Sequence, residues 1–219
     1  CVDTSEPEEL LTQIGRWNRE LAGKGISITL LRIRGVRALV YMYRRTKLER
    51  DLAAPGAAKL LLGLGYDSVM PEPAIEGLKA RLRSCEQFPH EIGVFLGYPL
   101  CDVLGFIRNR GQKSKLTGCW QVYGDEESAA IQFARFRKCR EIYLKQWNGG
   151  RTVQQLTVCR VLDPIHILER PDIRNVGQTC QHALAGLIAQ ACLDPELPVE
   201  VLGDAVVLCT KGLLLVEVA

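Results

Sequence analysis

From Phe88 to Ile107 the chain reads Phe-Pro-His-Glu-Ile-Gly-Val-Phe-Leu-Gly-Tyr-Pro-Leu-Cys-Asp-Val-Leu-Gly-Phe-Ile. This run constrains the fold more than any other. Residues 91–96 form a short apolar block, which reads as a buried strand. Gly97-Tyr98-Pro99 then marks a sharp corner, and Pro99 suits the first position of a helix running to about Asn109. The expected unit is therefore strand, corner, helix. His90 and Glu91 stand at its entrance, and Cys101 and Asp102 in the first helical turn.

The rest of the chain reads as alternating helices and short strands. Ser5-Glu-Pro-Glu8 is a capping box, and Leu10, Ile14, Trp17 and Leu21 recur at helical spacing, so a helix is expected over 6–22. Ile26 to Tyr43 is rich in β-branched and aromatic residues around Arg34-Gly35, which predicts a hairpin with strands 26–33 and 36–43. Helices are expected at 45–53, 55–63 and from Pro71 to about 84. A basic loop follows at 111–118 and a short strand at 119–123. Asp125 then caps a long helix to Trp147, with Phe133, Phe136, Tyr143 and Trp147 on its buried stripe. A short helical turn is expected at 151–157. The predicted fold class is α+β: a small mixed or antiparallel sheet covered by helices.

Near Cys159 the texture changes. The chain before it carries 24 Lys+Arg against 17 Asp+Glu, and the remainder 4 against 8. We therefore divide it into a main domain, 1–158, and a C-terminal extension, 159–219. The extension is expected to hold a helix at 172–192 and a three-stranded meander, Val199–Leu202, Ala205–Thr210 and Leu213–Val218. A hydrophobic content of 47% suits a chain that buries its own core. Its longest near-apolar run, Ala183 to Leu193, falls well short of the roughly 20 residues of a membrane span. The polar, acidic start resembles no signal peptide, and the missing initiator Met reads as a trimmed or fragmentary N-terminus. Nine widely spaced cysteines without a CxxC pair point to reduced thiols and a cytoplasmic setting.

Four groups of residues are candidates for chemistry. The Gly97-Tyr98 corner offers backbone amides and a helix dipole to an anion, although Asp102 would oppose one. His90 and Glu91 could join a metal site with Cys85, Cys101 or Cys119, but no spacing demands it, and His90 is the only histidine ahead of residue 159. Cys101, at a helix start, is a candidate reactive thiol, again opposed by Asp102. Arg32, Arg34, Arg37, Arg44 and Arg45, with Tyr41 and Tyr43, could make a basic aromatic sheet for RNA or phosphate. A pI near 8.4 argues against nucleic acid. Walker A, dinucleotide, nucleophile-elbow and HExxH patterns do not occur.

Residues 15–158 resemble a bacterial family catalogued as domain of unknown function 3793. The likeness is carried by His90 to Pro99, Asp102-Val103, Gly105-Phe106-Ile107, Gly118-Cys-Trp-Gln-Val-Tyr123 with Asp125-Glu126, Lys138-Cys139 and Tyr143. Upstream, Arg34-Gly35, Arg37 to Tyr41 and Tyr43-Arg44 also fit. The resemblance implies no established activity, substrate or cofactor, and its setting points toward redox or iron physiology. The family's opening Cys-Ala-Pro-Thr-Leu-Ala-Gly-Leu has no counterpart near Cys1, and only a loose echo at Cys180 to Leu187.

The leading expectation is a small-ligand-binding or regulatory module without catalysis of its own, acting on an unidentified small ligand or protein partner. Its site centres on His90, Glu91, Gly97, Tyr98 and Asp102, with Trp120 and Tyr123 as walls. The alternatives are a metal- or thiol-dependent enzyme and RNA or phosphate binding through the hairpin. Neither cofactor nor oligomeric state is legible in the sequence.

Overall fold

The computed structural model describes residues 2–3, 7–35, 37–84, 88–157, 205–210 and 213–218. The chain is an α+β protein. A short strand β1 (Val2–Asp3) leads into helix α1 (Pro7–Leu21) and a single 3-10 turn, Ala22–Lys24. Strands β2 (Ile26–Arg34) and β3 (Arg37–Arg44) form the expected hairpin, and β1 pairs with the far side of β3, so the sheet order is β1-β3-β2, all antiparallel.

Alternation along β3 explains the layering. Leu39 and Tyr41 face one hydrophobic core, while Met42 faces a second. On β2, Ile26 and Ile28 join the second core, but the register shifts between Leu30 and Arg32, and Leu31 enters the first core. The extra residue of that bulge turns a side chain to the opposite face without breaking the pairing beyond it.

The first core is closed by α2 (Arg45–Ala53), α3 (Pro55–Gly63) and α4 (Pro71–Ser84), which contribute Leu48, Leu52, Leu61, Leu78 and Leu82. The second is closed by α1, by α7 (Glu126–Asn148) and by a final turn α8 (Val153–Leu156), through Leu21, Cys139, Tyr143 and Leu156. Tyr143 donates its hydroxyl to the Leu156 carbonyl at 3.0 Å, and the Lys24 ammonium donates to the carbonyls of Gln154 and Thr157, so the end of this region is tied back to the turn after α1.

Helix α5 (Ile92–Phe95) and Val103 of α6 (Leu100–Asn109) also belong to the first core, and a small hairpin of β4 (Leu116–Thr117) and β5 (Gln121–Val122) packs Trp120 and Val122 against Phe133 and Phe136 of α7. Here the sequence reading needs correction. Residues 91–96 are a short helix, not a strand. Ile92 to Leu96 are all buried, so the apolar run carries no periodicity that separates strand from helix. Its end settles the conformation. Gly97 is left-handed (φ 67°), its amide donates to Val94 O at 2.9 Å, and the Tyr98 amide donates to Gly93 O at 2.9 Å. That paired closure is a Schellman motif, which only a helix can present.

Asp125 caps α7 as expected, accepting from the amides of Glu127 and Ser128, and Phe133, Phe136 and Tyr143 are buried on its inner stripe. Strands β6 (Ala205–Thr210) and β7 (Leu213–Val218) form an antiparallel hairpin. Ser5 of the capping box, Cys85, the 172–192 helix with the Cys180 echo, and the Val199–Leu202 strand lie outside the described residues. Among the described residues, no helix is long and apolar enough to cross a membrane.

Candidate functional site

A cavity of about 400 Å³ opens between the α5–α6 corner on one side and the β4–β5 hairpin on the other. Ile92, Gly93, Leu96 and Val103 form its inner wall. Aromatic rings supply the rest: Phe88 and Phe106 toward the mouth, Tyr98 and Trp120 deeper in. The rings are organised in pairs. His90 lies against Phe106 (centroids 4.9 Å apart, 59°), and Tyr98 against Trp120 (5.3 Å, 39°). Trp120 is held edge-on by Phe133 of α7 at 4.6 Å. Thr117 and Gln121 give the hairpin wall its polar atoms.

Close packing of glycines makes this arrangement possible. A side chain at Gly93 would come within 2.8 Å of Val103 and 3.0 Å of Tyr98. One at Gly105 would overlap the Tyr123 ring, and one at Gly118 the Phe133 ring. The hairpin can therefore lie directly on α6 and α7 only where these positions carry no Cβ.

Asp102 joins the two walls. Its side chain is buried, and it accepts three N–H hydrogen bonds, from Trp120 Nε1 at 2.7 Å and from the backbone amides of Tyr123 and Gly124 at 2.8 Å each, while the Cys101 thiol donates more weakly to Oδ1 at 3.9 Å. Among the described residues it has no ion-pair partner. Its carboxylate also occupies the first turn of α6, where an anion would otherwise bind.

The candidates named from sequence divide accordingly. His90, Tyr98, Asp102 and Trp120 line the cavity. Tyr123 stands behind it and contributes its amide to Asp102. Gly97 closes α5. Glu91 points away, into a buried cluster in which the Arg81 guanidinium and the Tyr66 hydroxyl both donate to its Oε1, the latter at 3.2 Å. Sequence reasoning missed Phe106, Thr117 and Gln121. Phe106 was findable, because Asp102, Val103 and Phe106 fall on one face of a helix.

Both thiols are shifted toward the neutral form. Burial, and then the Asp102 charge, raises the Cys101 pKa above its ordinary value. Burial raises that of Cys119, against the opposing pull of Arg137. Among the described residues, no three His, Cys, Asp or Glu side chains converge where they could hold a metal ion. The basic hairpin is also dispersed. Arg32 donates to Leu82 O at 3.0 Å, Arg44 is buried and donates to Lys24 O, and Arg45 pairs with Glu72. Arg34 and Arg37 are exposed at the tip. Tyr41 is fully buried and donates to Phe95 O at 3.0 Å, so its ring faces the core and no base can stack on it.

A family model described as "Protein of unknown function (DUF3793)" matches residues 2–157. No curated protein and no solved structure matches the chain.

Proposed function

The chain belongs to the DUF3793 family of proteins of unknown function, and we propose that it is a cytoplasmic bacterial module that binds a small, largely apolar ligand and has no catalysis of its own. The observation that carries this reading is the aromatic cavity between the α5–α6 corner and the β4–β5 hairpin. Its volume falls within the range of small-molecule sites, and its walls combine apolar rings with a few polar atoms, as such sites do. The groups that a catalyst would use are committed to structure. Glu91 is engaged by Arg81 and Tyr66, Asp102 by three N–H donors, and the two thiols are shifted toward the neutral form. Free thiols at Cys101, Cys119 and Cys139 support a reducing compartment.

The test is saturable binding of N-phenyl-1-naphthylamine, an uncharged apolar fluorophore, to the wild-type protein and to Thr117→Trp. Thr117 is exposed at the mouth, so the larger side chain fills the entrance without entering the core. We expect one site per chain in the wild type, at least tenfold weaker binding in the variant, and an unchanged Tm. Absent binding, or binding indifferent to Thr117→Trp, overturns the reading.

A further inference from the structure

We infer that the ligand of this cavity is an organic cation, an ammonium group carried on an apolar or aromatic body; this rests on the cavity being a binding site at all. Three features of the cavity converge on that class. The first is the density of ring faces: His90 against Phe106 and Tyr98 against Trp120 place two aromatic pairs around one space. Aromatic faces carry negative potential and attract cations, quaternary ammonium groups above all.

The second is the charge of Asp102. A buried carboxylate normally has a cationic partner, and among the described residues this one has only N–H donors and the Cys101 thiol. Oδ1 takes the two amides and the Cys101 thiol, whereas Oδ2 accepts one hydrogen bond and retains an acceptor position. Oδ2 is the oxygen bonded to Trp120, whose ring lines the same cavity. The third is the lining itself, which contains no Lys or Arg among the described residues. An anionic ligand would meet the Asp102 charge with no permanently charged Lys or Arg in the lining to offset it, and a neutral one would leave that charge unused.

Competition against N-phenyl-1-naphthylamine separates the classes. The competitors are benzyltrimethylammonium, its uncharged isostere neopentylbenzene, and phenylacetate as an anion of similar size. We expect the cation to bind at least tenfold more tightly than the isostere, and phenylacetate to bind most weakly. Asp102→Asn should reduce the preference for the cation several-fold. Because that variant disturbs the bond to Trp120, Phe106→Leu provides a second arm. It keeps an apolar side chain at the half-buried mouth and removes one ring face, so it should weaken the cation selectively. If the isostere or phenylacetate competes as well as the cation, or if both variants leave the preference intact, the cation assignment is overturned while the cavity reading stands. If the fluorophore itself finds no Thr117-sensitive site, the cavity reading fails and the assignment falls with it.

Discussion

Trp120 donates its indole N–H to Asp102 across 2.7 Å, from the turn of the small hairpin to the first turn of α6. Together with the amides of Tyr123 and Gly124 on the same carboxylate, this contact fixes the hairpin against the helix and so sets the width of the cavity between them. Among the described residues the carboxylate is held by these aligned N–H donors and no counter-ion.

Removing that carboxylate should therefore be costly. Asp102→Ala leaves a buried indole N–H and two part-buried backbone amides without their acceptor. A buried stranded donor costs about 1–3 kcal/mol and the part-buried amides less, so a total loss of about 2–4 kcal/mol is expected. Asp102→Asn keeps one acceptor oxygen and should lose less. Urea denaturation of the three proteins checks this, and an alanine variant within 1 kcal/mol of wild type, a margin set by the net worth of one hydrogen bond, would show that Asp102 does not hold the hairpin.

Glu91 is a separate case. It is buried at 4% exposure, while its partner Arg81 is 31% exposed. Among the described residues, Arg81→Met would leave the carboxylate with the Tyr66 hydroxyl alone, and a stability loss of about 3 kcal/mol is expected, at the low end for a buried pair because Arg81 is partly solvated. The double change Arg81→Met, Glu91→Leu should recover much of that loss. A double-mutant cycle reads the coupling, and additive single and double effects would count against a functioning ion pair.

The helices and the hairpin were legible in the sequence because each buries one face, so hydrophobic spacing reports their period. The run 91–96 was not, because Ile92, Val94, Phe95 and Leu96 are buried from every side and the closing hydrogen bonds of Gly97 and Tyr98 leave no mark on composition. The candidate site was legible in part. His90, Tyr98, Asp102 and Trp120 were named from one stretch and from proximity to it, and they do line one cavity. What they do was not legible, since it depends on partners remote in the chain. Asp102 finds its donors 18 to 22 residues onward, and Glu91 finds Tyr66 25 residues back. The same distance problem concealed the use of Arg32 and Arg44 on backbone carbonyls, which removes them from the basic surface that the sequence suggested.

Glycine positions supply a matched comparison. A methyl group at Gly105 would overlap the Tyr123 ring, whereas one at Gly63, at the end of α3, would meet nothing within 4 Å. Gly105→Ala should destabilise by about 1–3 kcal/mol through overpacking. Gly63→Ala should be neutral or stabilising by up to about 1 kcal/mol, from reduced chain entropy in the unfolded state. Thermal melts of both proteins decide the matter, and a Gly105 variant as stable as the Gly63 variant would mean that the hairpin and α6 are not in contact.

Cys101 is exposed yet shifted toward the neutral thiol, first by burial of the sulfur's surroundings and then by the adjacent Asp102 charge. Only the thiolate reacts with alkylating agents. At pH 7.5, iodoacetamide should modify Cys101 more slowly than it modifies free cysteine, and the pH–rate midpoint should lie above about 8.5, the ordinary value for a cysteine thiol. Peptide mass spectrometry of timed aliquots measures this. Modification faster than free cysteine at neutral pH would revive the reactive-thiol reading.

Tyr41 makes the protein sensitive to alkali. Its ring is fully buried and stacks on Tyr43 at 4.9 Å, and burial, then the Tyr43 and Asp51 charges, pushes its phenol well above the ordinary range. In the unfolded chain the same phenol ionises near pH 10. Below that pH both states hold the proton and Tyr41 adds no pH dependence. Above it the unfolded state releases a proton that the folded state retains, so stability falls by up to about 1.4 kcal/mol per pH unit until the folded phenol also ionises. Tyr43 is shifted in the same direction, chiefly by burial, and adds to the slope. Tyr41→Phe forfeits the hydrogen bond to Phe95 O, at a cost of about 1 kcal/mol at neutral pH. It also removes Tyr41's share of the alkaline loss, so the gap between variant and wild type should narrow from pH 9 to pH 11. Urea midpoints across that range test the sign, and a gap that stays constant or widens would show that the Tyr41 phenol is not shifted upward.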